Sequence, residues 1–250
     1  MSYVKMPNLP QNPVKSLIIG EKYTEILRPA LNRLEIKTID MPINPEVDIR
    51  LSSHADLSAL HLGSNKLILA KFLENSMFHV KQFCEDLEII YSEKSQNPKY
   101  PNDANLNICV CGKTVFLNPK TADAKALDEL CRADYSIAEV RQGYAKCAVC
   151  VVDESSIITA DGGIAAAAKA AGLDVLIVKP GLAALQGFSQ GFIGGAAFKL
   201  SAKKLAFTGL IPYSPEQERI ETFLTDKGIS PVYLTKLPLF DIGGAIPLSE

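Results

Sequence analysis

Three short segments carry residue types that suit chemistry. The first reads Arg50-Leu51-Ser52-Ser53-His54-Ala55-Asp56. If this segment is extended, alternate residues share a face, so Arg50, Ser52, His54 and Asp56 point one way. An imidazole with a carboxylate two residues on can form an orienting pair for proton transfer. Arg50 suits a ligand carboxylate, and Asp56 a cationic group. The second segment, Gly143-Tyr144-Ala145-Lys146-Cys147, sets a lysine beside a thiol. A neighbouring cation lowers a thiol's pKa, which makes Cys147 the best candidate nucleophile. Tyr144 and Lys146 would line the same place. The third, Asn102-Asp103-Ala104-Asn105-Leu106-Asn107, offers Asn105 and Asn107 on one face for hydrogen bonds to a ligand, although such a run also reads as a turn. Gln190, Phe192 and Asp241 complete the set. Asp241 suits a cationic ligand or caps the turn before Gly243-Gly244. His54, Asp56 and Cys147 are thus the catalytic candidates, and the others are binding candidates.

Metal and cofactor signals are weak. Cys147 and Cys150 have the C-x-x-C interval, but an odd separation on a strand sends the thiols to opposite faces. No second pair stands at zinc-ribbon spacing. Cys109 and Cys111 share a face among apolar neighbours and read as core. His61 and His79 lack partners at metal spacing. No phosphate-cradling glycine loop precedes a helix. Asp161-Gly162-Gly163 before a helix is a faint anion signal only. We therefore expect neither metal nor cofactor.

Composition narrows the partners. The 250 residues carry 26 Lys plus Arg against 28 Asp plus Glu, a net charge of -2, with 47% hydrophobic residues. That is ordinary globular usage, without the basic excess of a phosphate-tracking nucleic-acid binder. No apolar run reaches membrane-spanning length. Residues 1–13 are polar and proline-rich, without the apolar centre of a signal peptide, so a cytoplasmic protein with free thiols is expected.

The elements that must position these residues repeat along the chain. The clearest unit is a strand AVCVVD (148–153), a strand SIITA (156–160), an Ala-rich helix over 163–172 capped by Asp161, and a strand DVLIVK (174–179). The same order recurs three times. ADLSALHLG (55–63) and KLILAKF (66–72) precede a helix near 75–85 and the strand EIIYS (88–92). LNICVCG (106–112) and TVFLN (114–118) precede a helix over 121–131 and a strand at 135–140. FIGGAAFKL (192–200) and KLAFTG (204–209) precede a helix begun by a capping Ser214 with Pro215, and the strand PVYLT (231–235). A fifth unit is split between the termini. IGGAIPL (242–248) supplies its first strand, and SLIIG (16–20), a helix over 22–34 and EIKTID (35–40) supply the rest. The unit openings are spaced by 50, 42, 45 and 49 residues. Such units cannot each bury a core alone, so they are expected to close into a ring. Residues 1–13 would be a loose lead-in and residues 14–250 a single α/β domain. The first strands' beginnings would then line the ring centre, where the candidate residues lie.

A five-bladed α/β propeller of strand-strand-helix-strand units, closed by its C-terminal strand, resembles the pentein fold of the guanidino-group-modifying enzymes. The strings GYAKCAVCVVDESSIITADGGIA and GFIGGAAFKLSAKKLAFTG resemble an uncharacterised bacterial group of that fold. The resemblance implies a site at the ring centre for a small polar molecule, guanidino or amino-acid-like, held by carboxylates. It also implies a catalytic His on a late first strand and a Cys near the C-terminus. Phe192 and its neighbours stand at the first place and Gly243-Gly244 at the second, so ordinary hydrolase chemistry is not expected. If the chain is an enzyme, it is a divergent guanidino-modifying or amidine hydrolase- or transferase-like one. The alternative is a non-catalytic interaction protein, resembling the ribosome anti-association member of the fold. The oligomeric state is left open.

Overall fold

The computed structural model describes residues 2–76, 86–212 and 214–250. Among them, fifteen strands form five three-stranded sheets of one pattern. The first begins with β3 (Ala59–Gly63), antiparallel to β4 (Lys66–Leu69), which pairs in parallel with β5 (Glu88–Tyr91). Then come β6 (Cys109–Cys111), β7 (Thr114–Leu117) and β8 (Ser136–Glu139). Next are β9 (Val149–Asp153), β10 (Ser156–Thr159) and β11 (Asp174–Ile177). The fourth sheet is β12 (Ala197–Ser201), β13 (Lys204–Phe207) and β14 (Ser230–Tyr233). The fifth joins the two ends of the chain. β15 (Ile246–Ser249) runs antiparallel to β1 (Ser16–Gly20), which pairs in parallel with β2 (Lys37–Met41). This is the split unit expected from sequence.

Burial falls from the first strand of each sheet to the third. β6 and β7 are wholly buried, whereas β8 is mostly exposed. Each hydrophobic cluster lies between two neighbouring sheets. Ile68 of β4 packs with Val110 of β6, Phe116 of β7 with Val149 of β9, and Ile158 of β10 with Phe207 of β13. Ala206 then packs with Ile19 of β1, and Ile18 with Leu67 of β4. The circuit returns to its start, so the sheets form a ring. A fully buried side chain such as Phe116 contributes about 2–3 kcal/mol by leaving water.

Helices cross on the outside. In α1 (Glu21–Arg33), Thr24, Leu27, Ala30 and Leu31 form the buried stripe at helical spacing. α3 (Ala124–Arg132) is capped by Asp123, and α5 (Gly162–Ala170) by Asp161, whose Oδ1 accepts from the Ile164 N–H at 2.8 Å. α6 (Pro215–Asp226) has proline at its start, but the Ser214 hydroxyl does not cap it; it donates to the Pro212 carbonyl instead. The helix expected near 75–85 falls largely outside the described residues. No helix among them is long and apolar enough to cross a membrane.

Two expectations are corrected. The lead-in is docked rather than loose: Tyr3 bridges to Ser249, the Val4 N–H donates to Leu248, and Val4 and Leu9 are buried. Several inner strands also begin later than their apolar runs. A single helical turn precedes β3 and another precedes β9, namely α2 (Ala55–Ser58) and α4 (Ala145–Ala148), and a 3-10 turn at Gly194–Ala196 precedes β12. These turns sit at the ring centre and set the direction of the candidate side chains.

Candidate functional site

His54 is the extended residue before α2, and Asp56 lies within that turn. Across the centre, α4 carries Cys147. The Cys147 thiol donates to Asp56 Oδ2 at 2.8 Å, and Asn107 Nδ2 approaches the sulfur at 3.3 Å. Asn107 also anchors the turn: its Oδ1 accepts from the Cys147 N–H at 3.1 Å. A ring nitrogen of His54, a carboxylate oxygen of Asp56 and Cys147 Sγ all lie within 4.8 Å of one another. Sequence positions 91 apart thus meet at one point.

His54 can occupy this place because of Gly243. A Cβ there would collide with the His54 side chain, and the glycine's φ of +69° disfavours any other residue. The Gly243 carbonyl in turn accepts from the Asp56 N–H. Asp241 holds the same junction from below. Its Oδ1 accepts from the Gly243 N–H and its Oδ2 from the Phe192 N–H, each at 2.8 Å.

Burial sets the electrostatics. It pushes the Asp56 carboxyl up to about 6, against the opposing pull of His54, Lys146 and the thiol hydrogen bond. It also holds the Cys147 thiol well above its usual value, and the charges of Asp56 and Asp241 add to that. The cavity above the trio has a volume of about 220 Å³. His54, Cys147 and Asp241 form its polar floor, Leu51, Leu57 and Leu185 its apolar walls, and Phe188, Phe192 and Tyr144 its aromatic sides. Gln190 and Phe192 also line an adjoining cavity of about 240 Å³, bordered by Gln142, Asp161 and Lys179.

The other candidates are placed as follows. Arg50 does not share a face with His54, because residues 50–53 form turns rather than a strand. Its guanidinium is held by Asp48 at 2.6 Å, donates to the Gly187 carbonyl at 2.9 Å and stacks 4.3 Å from the Phe188 ring. It clamps the cavity's outer segment. Lys146 does not face Cys147, since adjacent residues of a helical turn diverge by about 100°. It lines a narrow crevice beside Asp56 and His61 instead. Asn105 parts from Asn107 and borders a separate pocket with Asn102 and Asp123. Tyr144 reaches the cavity with its hydroxyl committed to Asp103 at 2.6 Å. Of the flagged residues, His54, Cys147, Tyr144, Gln190, Phe192 and Asp241 meet at the cavity, with Asp56 and Asn107 directly behind. Cys109 and Cys111 are core, His61 bonds Ser64 through Nε2, and His79 lies outside the described residues.

Sequence reasoning missed Leu185 and Phe188, which lie in a stretch with no regular period, and Tyr23, whose ring meets His54 edge-on at 6.2 Å. Burial and the charges of Asp241, Asp56 and Cys147 raise the Tyr23 phenol to about 12. Its place near the start of a surface helix gave no signal.

No curated protein matches the sequence. Solved structures do match the fold. The inosamine-phosphate amidinotransferase StrB1 of Streptomyces griseus aligns over 100% of this chain and 97% of its own, at 10% identity and a TM-score of 0.59. A DDAH of Pseudomonas aeruginosa, complexed with citrulline, aligns over 94% and 97%, at 10% identity and 0.55. The agmatine deiminase of C. jejuni with substrate bound aligns over 99% and 96%, at 9% identity and 0.54. The fold is therefore that of the pentein guanidino-modifying enzymes. Residues 18–246 match a single sequence family, so the chain belongs to the Family of unknown function (DUF6873).

Proposed function

We propose that the chain binds a small compound with a planar cationic head, guanidino or amidino, at the ring centre, and that the Cys147 thiol reacts with that head. One observation carries this reading: Cys147 Sγ donates to Asp56 Oδ2 at 2.8 Å, beside His54, at the floor of an apolar-walled cavity. Charge supports it. Two carboxyl groups, Asp56 and Asp241, against one ammonium, Lys146, leave the centre with an acidic excess of one, which a monocation neutralises. Flat aromatic sides from Phe188 and Phe192 suit a planar delocalised cation. The adjoining cavity, with Lys179 and Asp161 at its border, suits a dipolar, amino-acid-like tail. The structural relative described as an agmatine deiminase, whose named substrate ends in a guanidino group, favours the same class of head group.

The chemistry follows from the placement. A bound cation beside the sulfur offsets the burial that keeps the thiol protonated. The proton passes along the existing hydrogen bond to Asp56 Oδ2 as sulfur bonds to the cation's central carbon. The carbon–nitrogen bond then breaks, and the departing amine takes the proton that the thiol gave up, relayed from Asp56 through the imidazole of His54, so both groups end the step as they began. Water adds to the sulfur-bound carbon and gives one proton to His54; the carbon–sulfur bond then breaks, that proton passes to the sulfur to restore the thiol, and the product releases the second water proton to solvent. In this reading the imidazole and thiol come from the openings at His54 and Cys147, not from the places held by Phe192 and Gly243.

The test compares two alkylating reagents on metal-free protein: a haloacetamidine, which carries the cation, and a neutral haloacetamide. Peptide mass spectrometry locates the label. We expect Cys147 to react at least tenfold faster with the amidine, and arginine or agmatine to slow it. Equal rates, or labelling confined to the exposed Cys131, would remove the reading and favour a non-catalytic interaction protein.

A further inference from the structure

The three side chains at the ring centre also form a donor set that no sequence spacing reveals. His54 offers an imidazole nitrogen, Asp56 a carboxylate oxygen and Cys147 a sulfur, all within 4.8 Å of one another. Each residue is at most 3% exposed. His54 and Asp56 each also carry a side-chain polar atom, Nε2 and Oδ1, that is buried without a hydrogen-bond partner. Native structures seldom leave such atoms unpaired, so two in one cluster point to a group that bonds to both.

We infer that His54, Asp56 and Cys147 bind one thiophilic divalent cation of the zinc type, with a fourth coordination position open to the cavity. The binding stands on the donor set alone; its regulatory consequence, that the cation blocks Cys147 by engaging its sulfur, rests on the function proposed above.

The donor chemistry selects the ion. One nitrogen, one sulfur and one oxygen suit zinc, whereas calcium and magnesium require oxygen-rich shells. Donors around tetrahedral zinc lie roughly 3.5 Å apart, so side-chain adjustments of about an ångström complete the site. Binding exchanges the thiol proton for the metal: the S–H bond breaks, the S–metal bond forms, and the proton leaves to solvent. Lys146 lines the crevice beside Asp56 and not the cavity, so it does not occupy the open position. Asn107 Nδ2, 3.3 Å from the sulfur, orients it as an outer-shell partner.

The experiment uses the full chain with Cys84 and Cys131 replaced by serine, stripped by a chelator and dialysed. Zinc is titrated in competition with a chromophoric chelator, and cobalt(II) is added separately as a spectroscopic probe. We expect one equivalent of zinc to bind, and cobalt to give a near-ultraviolet thiolate charge-transfer band. Affinity should fall at least a hundredfold in Cys147→Ala and at least tenfold in His54→Gln, and stay unchanged in Cys150→Ala. Thermal melts confirm that each variant is folded; His54→Gln carries the test if Cys147→Ala does not fold. No zinc binding, a cobalt spectrum without the thiolate band, or unchanged affinity in both variants overturns the site. Haloacetamidine labelling with and without zinc separates the two readings. Zinc binding without amidine-selective labelling in stripped protein keeps the metal site and removes the proposed function. Labelling that zinc does not slow removes the regulatory consequence.

Discussion

Two histidines seven residues apart show what separates a buried group from a site. His54 and His61 are each 3% exposed, and each has a buried ring nitrogen without a partner. His61 lies on β3 with its Nε2 against the Ser64 carbonyl, beside a crevice of about 10 Å³. His54 lies at the ring centre, where α2, α4 and the Gly243 turn converge on a cavity of about 220 Å³. Burial is common to both. Only His54 has a thiol and a carboxylate within reach and space above for a ligand. Convergence of several chain segments, not burial, makes the candidate site.

The comparison can be broken most strongly at Gly243. Gly243→Ala takes the space of His54 and strains a left-handed backbone, while leaving His61 untouched. We expect a loss of roughly 3 kcal/mol or more, read by denaturant unfolding, together with loss of amidine-selective labelling. A variant with wild-type stability and labelling would show that His54 needs no such vacancy.

His61 sharpens the contrast through pH. Burial lowers its imidazole from 6.5 to about 4, with the Ser64 carbonyl pulling back. The folded pKa is below the unfolded one, so the neutral imidazole's contribution is complete above pH 6.5 and disappears as pH falls toward 4. The full difference is up to about 3 kcal/mol. His61→Gln should flatten that part of the stability–pH curve between 6.5 and 4, measured against wild type, and leave Cys147 labelling unchanged. A curve of unchanged slope would show that His61 is not held neutral by burial.

Asp161 tests whether the adjoining cavity is separate. Asp161→Ala removes the α5 cap and should cost about 1 kcal/mol in thermal unfolding. Under the proposed function it also weakens protection of Cys147 by arginine more than protection by a headgroup-only guanidine. Equal weakening would detach that cavity from ligand recognition.

The smallest effect on stability is expected at Arg50, itself exposed and paired with a half-buried Asp48. Arg50→Ala should leave the melting temperature essentially unchanged. It frees the Gly187–Phe188 segment, so a neutral thiol reagent should reach Cys147 several-fold faster. An unchanged rate would mean the clamp does not govern entry.

The ring was legible because each unit switches from the two-residue period of a hairpin to the helical period and back within about 45 residues. The split fifth unit followed from counting strands. The helical turns at the centre were hidden, since Ala55–Ser58 and Ala145–Ala148 are too short to show a period and continue into apolar strands. That concealment misplaced Arg50, which alternation put beside His54 and the turn hands to Asp48. It also misread Lys146 as a neighbour of the Cys147 thiol. His54, Asp56 and Cys147 were each visible as reactive types. Their meeting was not, because a contact across 91 residues is set by ring closure and leaves no local pattern.

The pairing of β15 with β1 also bears on the order of events during synthesis. β1 leaves the ribosome with one edge uncovered, and its antiparallel partner, Ile246–Ser249, emerges more than 220 residues later. Asp241 and Gly243, which hold the floor of the cavity, come from the same late stretch. A nascent chain can therefore stack neighbouring blades in chain order, but it acquires a reactive centre only after residues 241–249 have emerged. Until then the buried thiol has neither its histidine in place nor its pocket, and the uncovered β1 edge is the point most open to pairing with another chain.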